Sequence, residues 1–183
     1  IGEFLAKLEG RIGINYATFV GNGTVRGVVM GFDERRPTDA EVEKLKAEVD
    51  KAMRLGQIGL STGLIYTPSL YADIDEITEL AKVASENNGI YASHIRGEGA
   101  TLFDAIHEAI SIGERARIGV QIAHLKASGE KNWGKAGRAL EMIDEARRRG
   151  VDVTADRYPY LAGSTGLATI LPVWSKDGGT DKM

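Results

Sequence analysis

The feature that most constrains this chain is a repeat in which a short apolar strand gives way to an amphipathic helix. Leu64, His94 and His124 fall at intervals of 30 residues, and Asp156 follows 32 residues later. A unit of roughly 30 residues is the length of one parallel strand with its crossover helix. Five strands are expected, near residues 14–20, 57–60, 90–94, 120–125 and 151–155, with four helices between them. The strands read as too apolar to have a wet face, which predicts a parallel sheet covered by helices. Eight such units close a barrel of roughly 250 residues, so this α/β chain amounts to little more than half of one. An open, doubly wound sheet fits the same count, and periodicity alone leaves both architectures open.

The helix boundaries are written in capping residues. Thr38 with Glu41 three residues later predicts a capping box, and Val42, Leu45, Val49, Met53 and Leu55 form the apolar stripe behind it. Asp73 or Asp75 is expected to cap the second helix, which presents Ile77, Leu80, Ala81 and Ala84 and stops at Asn87-Asn88-Gly89. A third helix over 101–116 carries Leu102, Ala105, Ile106, Ala109 and Ile112 on one face. The fourth, over 135–149, turns Ala139, Met142, Ile143 and Ala146 inward and ends in Arg147, Arg148 and Arg149, where the helix dipole favours cations.

Composition excludes several functions. A net charge of −3 and no cluster of Lys and Arg argue against binding nucleic acid. No apolar run reaches the roughly 20 residues of a membrane-spanning helix, and no signal-peptide pattern opens the chain. The 183 residues include no cysteine, which removes disulfides and thiolate ligands and fits a cytoplasmic protein. The chain starts at Ile1 and ends in the polar stretch 176–183, so residues 1–183 are expected to be a single internal piece of a longer catalytic domain.

His94 and His124 stand out because each ends a strand, one repeat apart. Active sites in parallel α/β folds gather at the C-terminal ends of the strands. Adjacent strands lie about 4.8 Å apart, so two imidazoles there can share one metal ion. Each alone suits a polar gap at a strand end; two in register favour a shared site. Catalytic zinc usually takes three protein ligands, and no third strand-end ligand is obvious. Asp156 suits either a ligand or a loop brace, whereas His107, in mid-helix beside Glu108, reads as a surface residue. Tyr66, Arg96, Lys126, Arg157, Tyr158 and Ser164 are expected on the same rim, an electropositive edge suited to a carboxylate or oxyanion. The glycine segment from Gly21 to Gly27 follows a strand, but its spacing is G-x-G-x-x-x-G. Residues 25–31 read as extended, which speaks against a dinucleotide fingerprint.

Four ordered motifs carry a family resemblance: 59–68 (GLSTGLIYTP), 93–96 (SHIR), 124–129 (HLKASG) with Asn132-Trp133-Gly134, and 154–160 (TADRYPY). They resemble the N-acyl-D-amino-acid deacylases, metal-dependent amidohydrolases, over nearly the whole chain. The segment 21–26 (GNGTVR) is similar to a further family stretch, with Asn22 in place of the usual histidine. The resemblance implies a partial (β/α)8 barrel comprising strands three to seven. It implies His94 and His124 as Zn2+ ligands, with Tyr66, Lys126, Tyr158 and Ser164 around a small N-acyl amino acid. The acidic residue that commonly follows the motif arginine is Gly97 here. The remaining metal ligands and the general-base Asp are expected outside this segment, so no catalytic residue is assigned within it and the piece alone is expected to be inactive. Open barrel edges predict self-association. Two alternatives remain: an amidohydrolase acting on cyclic amides or dipeptides, and a non-catalytic α/β piece. Ser61 and Thr62, where a carboxylated lysine often bridges metals in the former, disfavour it.

Overall fold

A computed structural model describes residues 2–179 and 182; Ile1 and, in the polar tail, Thr180, Asp181 and Met183 lie outside the described residues. Five strands, β1 (Val20–Gly21), β2 (Gly59–Gly63), β3 (Ile90–His94), β4 (Val120–Ile122) and β5 (Val153–Ala155), form one sheet in sequential order, every pair parallel. The helices are α1 (Gly2–Leu8), α2 (Asn22–Met30), α3 (Asp39–Arg54), α4 (Ile74–Glu86), α5 (Leu102–Ala116) and α6 (Ala136–Arg148). From α2 to α6 each helix packs against the next and all serve one core. A doubly wound sheet reverses its strand order midway. This one does not, so the architecture is the expected arc of a barrel.

The sheet has two unlike faces. Leu60, Tyr91, Val120, Ile122 and Val153 are buried together with Leu45, Val49, Ile77, Leu80, Ile106, Ile112 and Ile143 of the helices. Each fully buried apolar side chain of this size stabilises the fold by about 1.5–3 kcal/mol. Thr62, Tyr91 and Ser93 bring hydroxyls into that layer and satisfy one another, Thr62 Oγ1 lying 2.9 Å from the Tyr91 hydroxyl and 3.0 Å from Ser93 Oγ. Burial pushes the Tyr91 phenol up to about 12. The alternate residues, Ser61, Gly63, Ala92, His94, Gln121 and Thr154, occupy the other face and are half-buried or exposed. The expectation of uniformly apolar strands is therefore corrected. Their alternation places small and polar groups on the inner face of the arc.

Three local readings also change. Residues 14–20 do not form a full strand: only Val20 and Gly21 pair with Leu60 and Ser61, and Ile14 is 75% exposed. The neighbouring strand begins at Gly59, just after the C-terminal turn of α3, and before the ladder the Ile58 N–H donates to the Thr18 carbonyl at 3.0 Å. Strand β2 conversely runs on through Ser61 and Thr62, and β4 ends at Ile122. Residues 25–31 are not extended; all but Gly31 lie in α2, with Asn22, Val25, Arg26 and Met30 buried at helical spacing. Two polar members of that stripe masked its period. Arg26 forms a fully buried ion pair with Glu76, which also accepts from Asn22, while Ser69 donates to Asn22. Burial raises the Glu76 carboxyl above its ordinary value, opposed by Arg26. The dinucleotide reading still fails on its spacing, and the start of α2 is packed by Asn22, Pro68 and Ser69.

The helix boundaries follow the capping chemistry. Thr38 and Glu41 form the full capping box, Thr38 Oγ1 accepting from the Glu41 N–H at 3.3 Å. Asp73, not Asp75, caps α4 by accepting from the N–H groups of Asp75 and Glu76. Leu55, read as part of the α3 stripe, is 44% exposed because it falls past the last helical turn.

Candidate metal centre

The two repeats deliver their histidines to one place. His94 ends β3 opposite Gly63 of β2. A Cβ on Gly63 would come within 2.9 Å of the Tyr66 ring, so the missing side chain is what lets Tyr66 fold back over the strand end. The Tyr66 ring then stands edge-on to His94 at 5.2 Å. His124 lies two residues beyond β4, at φ 41°, a left-handed conformation uncommon for residues other than glycine. Asp156 braces that turn: Oδ1 accepts the His124 N–H at 2.7 Å and Oδ2 accepts from Gln121 Nε2 at 2.7 Å. Of the two roles open to Asp156, the structure supports the brace. The imidazole centroids of His94 and His124 are 4.4 Å apart.

A third group, a carboxylate, joins them, and the sequence reading missed it. Glu98 follows β3 on a loop held to the loop after β4 by Ser128 N–H donating to the Glu98 carbonyl at 2.7 Å. Its carboxylate sits 3.0 Å from His124 Nδ1 and accepts from the Lys126 ammonium. The signal was the motif position one residue earlier. At Gly97 a Cβ would lie 2.0 Å from Thr101 Oγ1, and the acid in this loop is the next residue, Glu98. His94, Glu98 and His124 offer ligand atoms all within 4.8 Å of one another. His94 Nε2 is buried with no hydrogen-bond partner among the described residues. Burial lowers the His94 imidazole below its ordinary value of 6.5, against an opposing pull from Glu98. A neutral imidazole with an unused nitrogen, beside a second imidazole and a carboxylate, is a donor set that suits zinc.

The remaining rim residues divide. Lys126 Nζ lies 3.0 Å from the His124 carbonyl and 2.9 Å from its Nδ1, and sits 5.3 Å from the centre of the Tyr158 ring. Tyr158 is 6.3 Å from the His124 ring. The Tyr66 hydroxyl pairs with Thr165 Oγ1 at 2.9 Å, drawing the segment after β5 toward the histidines. Ser164, beside Thr165, is exposed and makes no side-chain hydrogen bond among the described residues. Arg96 turns away. It donates to Glu108 and to the carbonyls of Leu70 and Ala72 at 2.8 and 2.7 Å, tying β3 to α5 and the loop after β2. The expected electropositive edge is therefore compensated, Arg96 by Glu108 and Lys126 by Glu98. Arg157 is exposed, and His107 is exposed on α5 as expected.

No family model matches the chain. D-aminoacylase of Alcaligenes xylosoxydans xylosoxydans is 40% identical over 154 residues, covering 84% of this chain and 32% of that protein. N-acyl-D-aspartate deacylase of the same organism is 35% identical over 180 residues, 93% of this chain and 36% of that protein. Among solved structures, N-acyl-D-glutamate deacylase from Bordetella bronchiseptica, complexed with zinc and a phosphonate mimic of the tetrahedral intermediate, superposes with a TM-score of 0.84 at 35% identity. The match covers 87% of this chain and 34% of that one. A D-hydantoinase at 18% identity and a TM-score of 0.53 shares the fold alone. The chain thus spans about a third of the relatives it matches. The resemblance carried by the four motifs is borne out, as is the partial barrel. No described helix is long and apolar enough to cross a membrane.

Proposed function

We propose that this chain, homologous to the middle of the N-acyl-D-amino-acid deacylases, supplies half of a zinc centre and part of the substrate pocket of such an enzyme. The reaction is hydrolysis of the amide bond of an N-acyl-D-amino acid. The observation that carries this reading is the meeting of His94 and His124 at 4.4 Å, with His94 Nε2 buried and without a hydrogen-bond partner among the described residues. A buried polar atom without a partner costs about 1–3 kcal/mol, and at His94 Nε2, beside a second imidazole and a carboxylate, a bound cation would recover that cost.

In this reading His94 and His124 would hold zinc, which when bound would supply Lewis-acid activation of the acyl carbonyl and of water. Lys126, Tyr158 and Ser164 hold the carboxylate of the amino acid, and Tyr66 lines the pocket on the His94 side. Lys126 has three N–H donors. Glu98 and the His124 carbonyl engage it, so a substrate carboxylate takes the remaining donor or competes with Glu98. With the carboxylate and the amide both fixed, the mirror image would exchange its side chain and hydrogen on Cα, so a pocket that also bounds the side chain selects one enantiomer. We assign no general base here: Asp156 and Glu98, the carboxylates nearest the histidines, are held by other partners. We place that base in sequence beyond this segment, and the enzyme in the cytoplasm. Strands β1 and β5 lie at the two edges of the sheet, and we expect the isolated chain to self-associate through them; a monodisperse monomer by light scattering would contradict this.

The test is release of free amino acid from N-acetyl-D- and N-acetyl-L-amino acids, with zinc and after chelation. The reading expects zinc-dependent release from the D-substrates by the complete enzyme and none from this chain alone. Zinc-loaded complete enzyme that leaves every D-substrate intact would overturn the substrate assignment.

A further inference from the structure

We propose that Glu98 is a positioning residue that accepts the Nδ1–H of His124 and so aims the opposite nitrogen, Nε2, at the site shared with His94. The proposal rests on the zinc reading above. His124 Nδ1 is enclosed, with Glu98 Oε1 at 3.0 Å and Lys126 Nζ at 2.9 Å. An approaching metal therefore finds only Nε2 free, and a neutral imidazole that ligates through Nε2 must carry its proton on Nδ1. Lys126 has no acceptor to offer that proton. Glu98 Oε1, 3.0 Å from Nδ1 on a side chain 15% exposed, is the acceptor within reach, whereas the hydrogen bond at Nδ1 in this structure is with Lys126 Nζ. Lys126 keeps two other acceptors, Glu98 itself and the His124 carbonyl, so it need not donate to the ring.

The arrangement draws on two repeats. Glu98 comes from the loop after β3, yet it serves the histidine that follows β4. The hydrogen bond from Ser128 N–H to the Glu98 carbonyl fastens the two loops together. Metal-bound histidines commonly pass their second ring N–H to a carboxylate, and loss of such a partner weakens metal binding about 10–100-fold.

The experiment measures zinc affinity of the protein by competition with a chromophoric chelator, together with long-range 1H–15N correlation spectra of the zinc-loaded, 15N-histidine-labelled protein. Circular dichroism and thermal unfolding check that each variant folds. Glu98→Ala should weaken zinc binding about 10–100-fold. Glu98→Gln, which keeps an acceptor oxygen of the same reach, should restore most of that loss. The spectra of the unsubstituted protein should show His124 protonated at Nδ1 and metal-bound at Nε2. Wild-type affinity in Glu98→Ala, or metal at Nδ1 of His124, would overturn the proposal. So would a Glu98→Gln loss as large as that of His124→Ala, which would make Glu98 a ligand in its own right. Wild-type affinity in His124→Ala would instead sink the zinc reading, so the two failures are distinct.

Discussion

His94 and His124 occupy the same place in successive repeats, but the backbone presents them differently. His94 closes a five-residue strand in regular register with Gly63 and has no hydrogen-bonded side-chain partner among the described residues. His124 sits past a three-residue strand at φ 41°, with Asp156 on its backbone and Glu98 and Lys126 around its ring. One histidine is oriented by the sheet ladder, the other by a set of polar side chains. A left-handed residue other than glycine costs on the order of 1 kcal/mol and persists where its surroundings over-determine it. Equal spacing in sequence thus produced equal position but not equal support.

Replacing the rings themselves should have the largest effect. His94→Ala and His124→Ala should each lower zinc affinity by more than about 100-fold, beyond the range expected for an outer partner, and remove most of the turnover of the complete enzyme. Chelator competition and deacylase assays would show it. If only one substitution mattered, the two histidines would not share an ion.

Asp156→Ala should act more weakly and only through His124. It removes two hydrogen bonds to a carboxylate at an exposed site, for a loss of about 1 kcal/mol in thermal or denaturant unfolding. Zinc affinity should fall by roughly tenfold as the turn carrying His124 loosens. Unchanged zinc affinity would show that the left-handed turn stands without its brace.

The smallest effect concerns His94 in the metal-free protein. Its folded pKa is depressed by burial, so the unfolded chain takes up the proton first. Above the ordinary value of 6.5 both states are neutral and no stability is lost. As pH falls from there through the lower folded value, the unfolded state binds more protons and stability declines. His94→Asn should flatten that decline in urea unfolding between about pH 5 and 7. A variant with the parent slope would trace the decline to other groups.

The sequence by itself determined the order of the five strands and of the helices from α3 to α6, the cap at Thr38, and the placing of two histidines near adjacent strand ends. These rest on local periodicity and on hydrogen bonds spanning three or four residues, which a linear pattern records directly. Only the tertiary structure decided that residues 22–30 are helical, because Asn22 and Arg26 become core residues through partners such as Glu76 and Ser69, some 50 residues away. It also decided how far each strand extends, since a ladder runs only where its neighbour is extended. The carboxylate beside the two histidines was hidden for the same reason. Glu98 reaches His124 and Lys126 because one loop closes onto the next, and the contact between them is fixed by how parallel strands stack, not by any pattern along the chain.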